Sequence, residues 1–142
     1  MFGFGKRVNK VKAEVKKMEN RDLLEALVGG CLLVAAADGT LDDSETKKID
    51  SLLRTNKNLG HFGGEITELV NRFAERLQSG YRVARAEILR EIEDIKADAQ
   101  QKEDVLLNML TIAEASGDID EKERKELDTV AQRLGLRVAD YE

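Results

Sequence analysis

Residues 32–45, LLVAAADGTLDDSE, overlay residues 110–123, LTIAEASGDIDEKE, without a gap. The agreement continues at Lys47 with Lys125 and Asp50 with Asp128, and Ile49 meets Leu127. A unit that recurs within so short a chain cannot bury its apolar face alone and must stack on its copy. The expectation is two helix, acidic loop, helix hairpins packed about a pseudo-twofold axis.

What surrounds the repeat must be helical too. The chain has no Pro and no Trp and only 4% aromatic residues. It is rich in Ala, Leu, Glu, Lys and Arg, which lose least entropy in a helix. Its 142 residues suit one core. Periodicity divides them into seven helices. Residues 1–20 place Val8, Val11, Val15 and Met18 at alternating spacings of three and four, behind Phe2 and Phe4. Residues 21–37 are apolar around much of the circumference and belong at the centre. The third helix starts at Asp42, with Ile49, Leu52 and Leu53 inward, and residues 56–64 read as a Gly-rich loop. The others span 65–78, 81–96, 99–116 and 120–134, and residues 136–142 add a final turn. The domain division expected is a basic amphipathic segment, 1–20, ahead of a helical domain, 21–142.

Each repeated loop reads Gly, any residue, Leu or Ile, Asp, acidic, any residue, Glu. Gly39 and Gly117 sit where the chain must turn with positive φ, which only Gly does without steric cost. Leu41 and Ile119 precede the next helix and should dip into the core as hydrophobic staples. Asp42 and Asp120 are N-caps, and Glu45 and Glu123 three residues on complete capping boxes. Capping alone accounts for most of the motif.

A second reading stays open beside it. Asp38, Gly39, Leu41, Asp42 and Glu45 match the second half of an EF-hand loop, but its earlier oxygen ligands are replaced by Val34 and Ala36, and by Ile112 and Glu114 in the second copy. A standard EF-hand is excluded. A looser site is not, since cap and first-turn carboxylates lie close together and could share a hard cation with loop carbonyls and water.

Lys6, Arg7, Lys10, Lys12, Lys16 and Lys17 stand against Glu14 alone, so the first 17 residues carry +5; of a total of −5, the remainder carries −10. An acidic body repels phosphates, which argues against nucleic acid as a partner. The basic first helix could pack on the bundle or lie on an anionic bilayer. No stretch is apolar enough to span a membrane and no signal peptide opens the chain. The lone Cys31 sits among apolar neighbours and reads as a buried thiol, which fits a cytoplasmic setting. His61 has no second His or Cys at ligand spacing, no nucleophile is paired with a base, and no phosphate-binding Gly loop occurs.

With these two loops, the stretch HFGGEI at 61–66 and LGL at 134–136, the chain resembles the TerB family of tellurite-resistance proteins over nearly its whole length. That resemblance implies a compact all-α, seven-helix bundle with pseudo-twofold symmetry and no catalysis. It implies acidic loops that bind divalent metal, and action with other Ter-type proteins in a membrane-linked complex, in the cytoplasm and peripheral to the inner membrane. Carried over by position, the metal role falls on Asp38, Asp42, Asp43 and Glu45, and on Asp118, Asp120, Glu121 and Glu123. Their oxygen-only chemistry favours Ca2+. The alternative is a metal-independent adaptor that docks through its charged faces and the basic N-terminal helix.

Overall fold

The computed structural model describes the backbone of residues 2–115 and 117–142, and the side chains of Lys12, of residues 20–115 and of residues 117–142. Among these the protein is all-helical, without a strand. Six α-helices follow one another: α1 (Phe2–Ala35), α2 (Asp43–Arg54), α3 (Gly64–Ser79), α4 (Tyr81–Glu93), α5 (Ala99–Glu114) and α6 (Glu121–Leu134). Short 3-10 turns occupy Gly60–Phe62 and Val138–Tyr141.

The expected count of seven helices differs from this at one place. The segments 1–20 and 21–37 run together as the single helix α1 of 34 residues. The reason is local: Glu19, Asn20, Arg21 and Asp22 include neither Gly nor Pro, so nothing removes a hydrogen bond or lowers the cost of leaving helical geometry. The stripe from Phe2 to Met18 lies outside the described side chains. The helix expected over 81–96 ends early, at Glu93, although Ile95 just beyond it is still buried.

Helix α1 is the axis of the bundle and packs on all five other helices. Leu23, Leu24, Leu27, Leu32 and Leu33 are each fully buried, and burying a side chain of this size contributes roughly 1.5–3 kcal/mol. Gly29 and Gly30 permit the neighbours to come close. A Cβ on Gly29 would stand 2.6 Å from Ile88 Cγ2 in α4, and one on Gly30 would stand 2.9 Å from Met109 Sδ in α5. Cys31, between these contacts, is fully buried, and burial pushes its thiol up to about 12. It is a core residue, as its neighbours suggested.

One buried charge ties α4 to α6. Glu126 is 7% exposed and accepts from Arg85 Nη2 at 2.7 Å and from Arg85 Nε at 3.2 Å. The fork geometry supplies the hydrogen bonds that a buried carboxylate requires. The hairpins α1–α2 and α5–α6 then lie together because α1 packs along α5, which brings their loops to the same end of the molecule.

Candidate functional site: an acidic cleft between two loops

The two loops begin with the same backbone device. Gly39 has φ 91° and Gly117 has φ 119°, both in the positive region expected from the sequence. Leu41 and Ile119 are partly buried against the core, so both dip inward as expected, although the residues four after each cap, Thr46 and Arg124, are not the apolar partners of a hydrophobic staple. Asp42 caps α2, its Oδ1 accepting from the Glu45 N–H at 2.9 Å and from Ser44 Oγ at 2.7 Å. Asp120 caps α6, accepting from the Glu123 N–H at 2.7 Å, while Glu123 Oε1 accepts from the Asp120 N–H at 3.1 Å. The capping box is thus closed in the second copy, and the first has the cap bond without the return bond. Asp38 closes a small turn of its own, accepting from the Thr40 N–H at 3.0 Å and Thr40 Oγ1 at 3.1 Å.

A cleft of about 260 Å³ opens between the loops. Asp38, Asp42 and Glu45 line it from the first copy, and Asp120 and Glu123 from the second. Of the eight carboxylates singled out by position, these five come together. Asp43, Asp118 and Glu121 are exposed and do not line this cleft. Ala35, Ile112 and Ala115 supply its apolar lining, and Ser44 and Lys48 complete it. Lys48 was not anticipated, yet a signal was present: it lies one turn after Glu45 on α2, and hence on the same face.

The electrostatics show that the loops share one field. Burial raises the Glu45 carboxyl above its ordinary range, and the charges of Asp42 and then Asp38 add to this. Glu123 is raised too, first by burial, then by Asp120, with Asp38 of the other loop contributing. Asp42 is held low by the hydrogen bonds it accepts from Ser44 and from the Glu45 N–H. Asp38 therefore acts on glutamates of both copies.

In donor type these side chains suit a hard cation. In placement they fall short of a ligand shell: among the described residues no three Asp, Glu, His or Cys side chains are positioned to hold one ion. Asp42 and Asp120 each already spend an oxygen on a cap, and Lys48 brings a cation of the protein's own. His61 is exposed, with its ring 4.1 Å from that of Phe62, and is not part of the cleft wall.

The model of the family described as tellurite resistance protein TerB matches residues 24–142. The chain belongs to the TerB family. The match takes in both loops, the cleft between them and every helix from within α1 onward. TerB membership makes this a protein of the tellurite-resistance type, in a family that is not generally one of enzymes. No curated protein and no solved structure matches the chain. No helix among the described residues is long and apolar enough to cross a membrane.

Proposed function

We propose that this TerB-family chain is a non-enzymatic stress-resistance protein whose two acidic loops act as one joint cation-responsive site, with Ca2+ the favoured ion. The observation that carries the reading is that five carboxylates from two distant loops open onto a single cleft, with Asp38 influencing the glutamates of both. Binding would be loose, through water and rotated side chains, in the range of about 10⁻⁴–10⁻³ M typical of weak calcium modules. Asp38, Asp42, Glu45, Asp120 and Glu123 would hold the ion through intervening water, since no three of them are placed to ligate it directly; Asp43, Asp118 and Glu121 would add to the field from outside. Neutralising this charge is the means by which the protein would alter its contacts with other Ter-type proteins in a membrane-linked complex. We further propose that the hairpins descend from one duplicated unit related by a pseudo-twofold axis, and that residues 1–20 are an appendage to the helical domain 21–142.

A second reading is favoured by the capping bonds, which give Asp42 and Asp120 a purely structural occupation. In it the protein is a cation-independent adaptor that docks through its charged faces and N-terminal helix. Calorimetric titration of chelator-treated protein with Ca2+ separates the two. Saturable heat that is weakened at least about fivefold by Asp38→Asn supports the joint site, because Asp38 caps no helix. No heat at millimolar Ca2+ leaves the adaptor.

A further inference from the structure

The first loop lines two different cavities. Asp38 and Asp42 belong to the acidic cleft. Ala36, Ala37 and Leu41 instead line a groove of about 480 Å³, together with Leu77 near the end of α3 and Tyr81 at the start of α4. The two cavities share no residue.

The groove is held in shape by bonds that cross between elements. Gln78 Nε2 donates to the Leu41 carbonyl at 3.2 Å and ties the end of α3 to the loop. The Tyr81 hydroxyl donates to Glu126 at 3.5 Å, a carboxylate already fixed by Arg85. Gly39 contributes backbone alone, and a Cβ there would meet nothing within 4 Å. A ligand can therefore approach the loop closely without first reshaping it, which lowers the ordering cost of binding.

Its character is that of a protein-docking surface. Among the described residues three large apolar side chains are exposed, Tyr81, Val83 and Leu107, and two of them fall in the first turn of α4. Tyr81 is 39% exposed, and a ring of this kind gives much contact area for the loss of few rotamers. No charged side chain lines the groove, yet its two borders differ in sign. The loop carries Asp38, Asp42 and Asp43. Next to Tyr81 stands Arg82, exposed and without an ion pair among the described residues, in a helix turn that holds no acid. A purely apolar ligand would leave both borders unanswered. A helix answers both, because it presents apolar side chains one turn apart and can carry opposite charges at its two ends.

We infer that this groove docks an amphipathic helix of a partner protein, with apolar residues three or four apart entering beside Tyr81, an acidic residue toward Arg82 and a basic residue toward the loop. The inference uses no residue of α1 before Ala35 and stands whether or not the cleft takes Ca2+.

The test is selection of a displayed library of random peptides, about sixteen residues long, on the full-length protein. Enriched sequences should carry two apolar residues three or four positions apart, an acidic residue on one side of the pair and a basic residue on the other. Peptides synthesised from them should bind at least about tenfold more weakly to Ala37→Glu, which places a charge in the groove. Binding to Arg82→Glu should fall at least about threefold, and Val83→Ser, in the same turn but outside the groove, should bind as the parent does. Thermal melts accompany each variant, and if Ala37→Glu is less stable the exposed Arg82→Glu decides alone. Enrichment of peptides without the charge pattern, no enrichment at all, or undiminished binding to Arg82→Glu would overturn the inference. So would sedimentation of the free protein as a dimer that Ala37→Glu converts to a monomer, which places a second copy in the groove.

Discussion

The two copies of the hairpin have the same loop and different surroundings. In both, a positive-φ Gly turns the chain and an Asp caps the next helix. The helices before and after have diverged according to position. Leu33 and Val34 of the first copy are fully buried, whereas their counterparts Thr111 and Ile112 are exposed and half-buried. Lys48 lines the acidic cleft, while its counterpart Glu126 is buried against Arg85. The loop is retained because its backbone geometry is local, and the flanks change because α1 is buried almost all round from Leu23 to Val34 while α5 keeps an exposed face at Leu107, Thr111 and Glu114. Repetition in sequence therefore reports a shared turn, not a shared environment.

The sharpest way to break this comparison is to truncate the matched pair at positions 33 and 111. Leu33→Ala removes a fully buried side chain and should cost about 2–5 kcal/mol. Thr111→Ala alters an exposed residue whose hydroxyl donates to the Leu107 carbonyl of its own helix, and it should stay within about 0.5 kcal/mol of the parent. Urea denaturation measures both. Similar losses would mean that the copies are energetically alike after all.

How much of this could be read beforehand follows the same division. The all-helical class, the caps, the positive-φ glycines and the buried Cys31 are set by neighbours a few residues away, and all were legible. The length of α1 was not, because an amphipathic stripe that shifts its apolar face at residues 19–22 looks like two helices when nothing says whether the backbone breaks. The cleft was legible only in part. The sequence marks eight carboxylates, but which five meet depends on α1 packing along α5, and no local pattern encodes that pairing. The Gly29–Gly30 pair was a signal of close helix approach that went unused, and the Arg85–Glu126 bond joins residues too far apart to suggest each other.

A smaller effect should separate the two caps. Asp120→Ala loses the bond from the Glu123 N–H and leaves the return bond of Glu123 without its cap, which should cost about 1–2 kcal/mol. Asp42→Ala loses a cap bond with no return bond, together with the exposed bond from Ser44 Oγ, and each variant alike removes a charge that presses on its glutamate, so about 0.5–1 kcal/mol is expected. Parallel denaturant titrations would show the order. Equal costs would mean that the closed box contributes nothing beyond the cap itself.

The least effect, and the most informative about the cleft, belongs to its two glutamates. Both have carboxyls raised above the ordinary 4.5, so each binds its proton more tightly in the folded than in the unfolded state. Stability from such a group is fully present below its unfolded value and is lost as pH rises through its folded one. At pH 7 each glutamate is therefore a mild liability. Glu45→Gln should relieve it and raise the melting temperature by on the order of 1 °C at pH 7 in chelator, with the gain fading as pH falls toward 4. Glu123→Gln should gain less, because that carboxylate returns a hydrogen bond to the Asp120 N–H that the amide only partly replaces. A gain for Glu45→Gln that persisted unchanged at low pH would remove charge repulsion as its cause. The joint field of the two loops would then lose the physical basis on which the cation reading stands.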